Sequence, residues 1–237
     1  MNNLILFGEV IFTFSALLIC YNNFGKVGMM AWVGIATILA NVITAKNADI
    51  FGLSTAIGTV MFASTFLATD ILAENHSKED AKTAVYIGLF ADVVLMISTK
   101  IALLYKPSEI DYADEAMRTL FALNLRISLA SMVMYFIANM ADVALFSKLK
   151  EKSDGKRLWL RNNVSTILCN CLENFGFITL AFVGIYDAET ILIIAASTSI
   201  VEMIVALLDT PFLYIAKRMN NDRQQHILHV TEVETQA

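Results

Sequence analysis

Charge is what this sequence has least of. Only 16% of its 237 residues are Asp, Glu, Lys or Arg, while 57% are hydrophobic. A soluble domain carries about a quarter charged residues. With a mean hydropathy of +0.62, the chain reads as a polytopic membrane protein. Prolines number two, so little interrupts long helices. The three histidines, His76, His226 and His229, fall in a loop and in the C-terminal tail, leaving no imidazole inside an apolar run to act as a base or metal ligand. The three cysteines, Cys20, Cys169 and Cys171, all lie in apolar segments. Cys169 and Cys171 stand two apart and point to different faces of a helix, so neither a disulfide framework nor a metal site is suggested. A P-loop is missing, and so is any basic, aromatic platform, which makes nucleic acid an unexpected partner despite the modest net charge of -5. The first segment has no basic n-region and no small-residue cleavage site, and it reads as a retained helix.

What is present is a series of apolar runs of spanning length, near residues 3 to 21, 27 to 45, 52 to 73, 81 to 104, 119 to 146, 161 to 183 and 190 to 216. The expected fold is an all-α bundle of about seven transmembrane helices, one N-terminal helix plus a six-helix core, over residues 1–218. A polar tail, expected to be disordered, follows over residues 219–237. Lys148, Lys150, Lys152, Lys156, Arg157 and Arg161 crowd one short loop, and Lys217, Arg218 and Arg223 follow the last span. Positive charge retained inside makes both regions cytoplasmic. By alternation the N-terminus and the acidic loop with Glu109, Asp111, Asp114 and Glu115 lie outside, and the C-terminus lies inside. The short connection at residues 47–51 admits a hairpin between the second and third spans.

Several spans carry polar stripes. In the sixth, Asn163, Thr166, Asn170, Glu173 and Asn174 fall within an arc of roughly 100°, with Phe177 on the same face. An ionised carboxylate facing lipid is expensive, so Glu173 must face protein, water or ligand. Asn124, Ser128, Ser131, Tyr135, Asn139 and Asp142 share a face of the fifth span, and Thr59, Phe66, Asp70 and Glu74 one of the third. Asn41 lines up with Thr37 and Thr44 in the second span, and Glu202 with Thr198 and Asp209 in the seventh. Such faces are driven together in a bilayer, because an unsatisfied polar group in hydrocarbon is costly. The blander alternative is interhelical hydrogen bonding. For Glu74, Asp142 and Asp209, near span ends, interfacial solvation is a further one.

The expected result is a polar cavity walled by Phe66, Tyr135 and Phe177. Acids outnumber bases within the spans, where Arg126 is the one arginine clearly inside a span and points away from Tyr135. Carboxylates and amides suit a ligand rich in N–H donors or carrying a cation. A guanine-like ring offers adjacent N–H groups that one carboxylate accepts together, and a flat face that stacks on Phe or Tyr.

The runs WVGIATILANVITAK (32–46), STFLATDILAE (64–74), DVALFSKLKEKSDGKRLWLRNNVST (142–166) and LLDTPFLYIAKR (207–218) resemble the queuosine precursor transporters, formerly grouped as vitamin uptake transporters. The resemblance covers residues 24 to 218. It implies a multi-pass transporter of the bacterial cytoplasmic membrane that takes up 7-deazaguanine bases, the 7-cyano or 7-aminomethyl precursors or queuine, for salvage into transfer RNA modification. The family's polar signature falls on Asn41, Lys46, Asp70, Glu74, Asp142, Arg161, Asn162, Asn163, Ser165, Thr166, Asp209 and Pro211. The chain departs from it at Asn139, where a glutamine is usual, and at Asn170-Cys171-Leu172-Glu173 in place of Gln-x-x-Asp. It departs again at Glu202, where the family usually has lysine, a reversal of charge.

The candidate substrate-binding residues are therefore Asn41, Phe66, Asp70, Glu74, Tyr135, Asn139, Asp142, Asn163, Asn170, Glu173, Asn174, Phe177 and Glu202. No catalytic or metal-binding residue and no cofactor is expected. The expected partners are a small 7-deazapurine base and the bilayer, with a homodimer admitted. A substrate-capture subunit of an ATPase-driven uptake system is the alternative function; a membrane enzyme ranks last. Asp70, Glu173 and Glu202 motivate a hypothesis of proton coupling.

Overall fold

The computed structural model describes residues 1–121 and 125–236, and their side chains other than those of 125, 223, 224 and 226–236. Asn124 and the side chains of Arg223, His226 and His229 thus lie outside the described residues. In chain order the elements are α1 (Asn2–Ile43), β1 (Asn47–Ile50), β2 (Leu53–Ala56), α2 (Thr59–Asn75), α3 (Lys78–Ala102), α4 (Asp114–Phe121), α5 (Leu125–Lys152), α6 (Leu158–Phe182) and α7 (Ala188–Gln236). Five of these, α1, α3, α5, α6 and α7, are long and apolar enough to cross a membrane.

α1 contains the first two expected spans, and it does not run straight. Forty-two residues of unbroken helix would reach about 63 Å. Yet Asn2 Nδ2 donates to the Asp49 carbonyl at 3.0 Å, and Asn3 Oδ1 accepts from Phe51 N–H at 3.0 Å. The reversal is at Gly25, whose φ of 57° and ψ of -136° lie in a region that side chains forbid. Past the bend the two arms nearly touch. The Cys20 thiol donates to the Gly28 carbonyl at 3.4 Å, and a Cβ on Gly28 would meet the Cys20 carbonyl at 2.8 Å.

The bundle therefore has two distinct ends. At one lie the Gly25 bend, the α2–α3 turn and the later part of α7: Lys26 pairs with Asp80 at 3.1 Å, and Asn75 Nδ2 donates to Tyr21 Oη and to the Ala216 carbonyl, both at 3.1 Å. Ser77 caps α3, accepting from Asp80 N–H at 3.1 Å while its hydroxyl donates to Asp80 Oδ2 at 2.7 Å. At the other end lie the N-terminus, the β-hairpin and the α6–α7 connection, where Arg126 donates to the carbonyls of Leu180 and Val183 at 2.8 and 2.7 Å. Asp187 caps α7 there; the Thr190 hydroxyl, donating at 2.6 Å, holds the Asp187 carboxyl below its usual range.

The chain is helical as expected, with one small addition. β1 and β2 pair antiparallel, with Ile50 opposite Leu53 and Asn47 opposite Ala56. Phe51 and Gly52 turn between them with φ of 53° and 80°, as a tight two-residue hairpin demands. The third helix consequently begins at Thr59, not at residue 52, because residues 53–56 pair as β2. At 17 residues, α2 is short. α7 continues as helix past residue 218.

Large apolar side chains such as Phe12, Phe90, Leu168 and Ile193 are exposed on the outer faces, where lipid would meet them. Inside, Phe14 of α1 meets Phe212 of α7 edge-on at 5.2 Å, next to Leu67 and Ile71 of α2. Between helices in lipid such contacts act through close packing and not through exclusion of water.

Candidate functional site

Polar residues inside the bundle sort into three tiers by depth. The uppermost, towards the β-hairpin end, is a cavity of about 280 Å³ walled by the second arm of α1, the hairpin, α2, α3, α5, α6 and α7. It shares Asn41, Asp92, Ser131 and Phe177 with an adjoining space of about 470 Å³. Asn41, Tyr135, Glu173, Asn174, Phe177 and Glu202, six of the residues singled out in the sequence, line the smaller cavity. Asn174 Nδ2 donates to Glu202 Oε2 at 2.6 Å, tying α6 to α7. Glu173 Oε2 is buried without a hydrogen-bond partner. The Thr37 hydroxyl donates to the Val33 carbonyl at 2.8 Å, and its oxygen lies 3.4 Å from Tyr135 Oη.

The aromatic wall differs from expectation. Phe66 is fully buried beneath the cavity, and Phe62, one turn earlier, lines it. Phe62 contacts both Phe66 and Tyr135 edge-on, at 5.5 and 6.1 Å. Asp92 of α3 is a residue that sequence reasoning missed. It is buried and lines both spaces. An aspartate in the middle of AVYIGLFADVVLMIS was itself the signal, since an acid within a span is rarely incidental. Glu173, Glu202 and Asp92 thus give the inner cavity three acids, and its lining residues include no Lys or Arg.

The middle tier is buried. Asp70 of α2, Asp142 of α5 and Asp209 of α7 are each 0% exposed and lie outside the cavity, in which Asp70 and Asp142 were expected to bind ligand. The Asp70 and Asp142 carboxyl groups lie within hydrogen-bonding reach of each other. Thr166 of α6 approaches Asp70 at 3.5 Å, and Asn162 donates to Asp209 at 2.7 Å. Ser165, near Asp142, donates to the Asn162 carbonyl at 3.2 Å, and both Asp142 oxygens remain without a donor. Asn139 and Asn170 are also buried here; Asn139 donates to the Tyr135 carbonyl, and neither Asn170 polar atom has a partner.

The third tier, at the Gly25 end, is ionic. Glu74 is bound by Arg161 of α6, by Lys217 of α7 at 2.7 Å and by Lys150 of α5 at 3.4 Å. The Arg161 guanidinium also sits 5.3 Å over the Phe146 ring, a cation–π contact. Lys150 further donates to the carbonyls of Ala73 and Glu74. Glu74 is therefore a fastener of four helices, away from the cavity. Asn163 is likewise elsewhere, donating to the Trp159 carbonyl and to the Thr210 hydroxyl at 2.7 and 2.9 Å.

The tiers follow helical register. α5 supplies Tyr135, Asp142 and Lys150 to the successive tiers, and α7 supplies Glu202, Asp209 and Lys217. Both sets are spaced seven then eight residues, about 10.5 and 12 Å of rise. The arrangement forms a polar, acid-rich chamber with a buried carboxyl layer and an ionic fastener beneath it. Among the described residues, no group of three or more His, Cys, Asp or Glu side chains is arranged to hold a metal.

Comparison with known proteins bears on this geometry. Residues 56–216 match the family described as putative vitamin uptake transporter. A probable queuosine precursor transporter of Bacillus subtilis (strain 168) is 34% identical over 213 residues, covering 89% of this chain and 93% of the relative. The queuosine precursor transporter of Escherichia coli (strain K12) is 28% identical over 158 residues, 64% of this chain and 67% of its own. A probable queuosine precursor transporter of Haemophilus influenzae is 27% identical over 125 residues, 53% and 51% of the two chains. No solved structure matches.

Proposed function

The chain belongs to the putative vitamin uptake transporter family, and on that premise we propose that it imports queuosine precursors, 7-deazaguanine bases, through the acid-lined cavity between α5, α6 and α7. It is a multi-pass protein of the bacterial membrane and a transporter, not an enzyme. Counting both arms of α1 and the short α2 as crossings gives seven, with the β-hairpin end outside. The Lys150, Arg161 and Lys217 end then lies in the cytoplasm, as retention of positive charge requires.

The supporting observation is the lining of the inner cavity: Glu173, Glu202 and Asp92 with no opposing cation, beside the rings of Phe62, Tyr135 and Phe177. A 7-deazaguanine presents its ring N–H and exocyclic amino group along one edge, and a carboxylate accepts both. Glu173, with a free oxygen, takes that edge, while Asn174 holds Glu202 in place through Oε2. The ring lies against the aromatic wall. At about 280 Å³ the inner cavity is near the small end of ligand sites, roughly 300–1,000 Å³, which suits a bicyclic base better than a large vitamin.

Expression of this chain alone, in a bacterial strain lacking both its own importer and the synthesis of the base, tests the reading. Restored queuosine in transfer RNA upon feeding the 7-cyano or 7-aminomethyl base is the expected result. Restoration only when an ATPase module is co-expressed assigns the chain instead to substrate capture, and no restoration in either case overturns the substrate.

A further inference from the structure

The middle tier has no role in holding the base, and its composition is unusual for a structural core. Asp70, Asp142 and Asp209 come from three helices and are fully buried. Among the described residues none of the three takes part in an ion pair. The donors within reach are few: Asn162 for one oxygen of Asp209, Thr166, at the limit of distance, for one of Asp70, and the Ser165 hydroxyl beside Asp142. Asp70 Oδ1, both oxygens of Asp142 and Asp209 Oδ2 have no donor at all. The surrounding amides are also short of partners. Asn139 Oδ1, Asn162 Oδ1 and both polar atoms of Asn170 are buried and unpartnered, on side chains no more than 2% exposed.

Protein donors for the three carboxyl groups are thus few. Two facing carboxyl groups, Asp70 and Asp142, make a hydrogen bond only when a proton lies between them; fully ionised, they repel in a medium that screens little. A metal ion is the other way to fill such a site, but these side chains do not converge as a metal site requires.

We propose that the Asp70–Asp142–Asp209 tier is a proton-binding site that couples uptake of the base to the proton gradient. The proposal rests on the substrate reading above for what is carried, though not for the site itself. A proton delivered as hydronium from external water adds to a carboxylate oxygen of the Asp70–Asp142 pair. It leaves from the same oxygen to cytoplasmic water when the ionic fastener opens, so charge and atoms balance over a cycle. The titratable and charged groups around the tier are Glu74 of α2 and Arg161 of α6 below it, Cys169 of α6 beside it, and Tyr135 of α5, Glu173 of α6, Glu202 of α7 and Asp92 of α3 above it. Arg161 is bound to Glu74 and is not a counter-ion for the aspartates. Asp70 and Glu74 are one turn apart on α2, so repulsion of Asp70 from Asp142 on loss of the proton pulls directly on the fastener.

Purified full-length protein in proteoliposomes, given radiolabelled 7-aminomethyl-7-deazaguanine, supplies the test. With the exterior acid, accumulation is expected to exceed that without a gradient by more than tenfold, and a protonophore should abolish the difference. Asp70→Asn and Asp142→Asn should lose accumulation while still binding the base and exchanging it across the bilayer. A second measurement needs no substrate: infrared difference spectra between acid and alkaline pH should show a protonated-carboxyl band that is lost in Asp142→Asn. Accumulation driven by sodium or indifferent to the protonophore overturns the proposal, and so does absence of the carboxyl band. If the band is present but the base is neither bound nor moved, the substrate reading fails and the proton site stands.

Discussion

Asn174 donates to Glu202 across 2.6 Å, from α6 to α7, at the floor of the inner cavity. One oxygen of Glu202 is thereby occupied, while Glu173, one residue before Asn174, keeps a buried oxygen without a donor. The two glutamates of the cavity are consequently unequal: Glu202 is held in place by a protein donor, and Glu173 has a buried oxygen that no protein group donates to.

Glu173→Gln keeps the shape of the side chain and replaces one acceptor with a donor NH2. A charge-assisted hydrogen bond contributes about 1.5–3 kcal/mol, and a donor facing a donor adds a desolvation penalty. Affinity for a 7-deazaguanine should fall roughly a hundredfold, about 2.7 kcal/mol, with the melting temperature little changed. Equilibrium binding and thermal melting on the one variant check this; unchanged affinity removes Glu173 from the site.

Glu202→Lys installs the residue that the queuosine precursor transporters usually carry. A lysine there loses the bond from Asn174 and neutralises Glu173. The 7-aminomethyl base carries an ammonium group and the 7-cyano base does not, so the substitution should weaken the first more than the second by roughly tenfold, about 1.4 kcal/mol. Competition binding with the two bases reads the difference. Equal effects on both exclude Glu202 from discriminating charge.

Glu74→Gln breaks a buried pair with Arg161, whose side chain is 2% exposed. Leaving a buried charge without its partner costs about 3–5 kcal/mol. Lys217→Met removes a partner that is 35% exposed, and the cost should be under about 1 kcal/mol. Thermal melts in detergent should rank the two in that order. The reverse order would mean that Lys217 carries the fastener.

Reporter fusions test the orientation. Fusions after Asp154 and Asn220 should report a cytoplasmic location, and one after Asp187 an external one. An external signal at Asp154 would invert the assignment of the two ends, and with it the side on which the cavity opens.

The helices were legible because apolar runs of spanning length have few alternatives in this composition. The reversal inside α1 fell where the sequence shows a gap between two runs, at residues 22–26, but only the backbone at Gly25 shows how tight it is. The β-hairpin was hidden because LSTAI continues the hydropathy of the helix after it, and pairing with residues 47–50 is a long-range choice that a window of sequence does not contain.

The polar stripes were legible as faces, but periodicity gives azimuth without depth. Asn163, Asn170 and Asn174 share one face of α6 and end in three different surroundings: bonded to Thr210, buried without a partner, and bonded to Glu202 in the cavity. Phe66 and Phe62 differ by a single turn, which decides whether a ring is floor or foundation.

The matching spacing on α5 and α7 ties chemistry to mechanics. Tyr135, Asp142 and Lys150 ride on one rod, and Glu202, Asp209 and Lys217 on another. A rod that tilts or slides carries its residues together over any unbroken stretch, as from Tyr135 to Lys150, whereas α7 has Pro211 inside it, between Asp209 and Lys217. The unbroken stretch of α7 joins Glu202 to Asp209, the cavity to the carboxyl layer, and Pro211 marks where the segment that carries Lys217 departs from it.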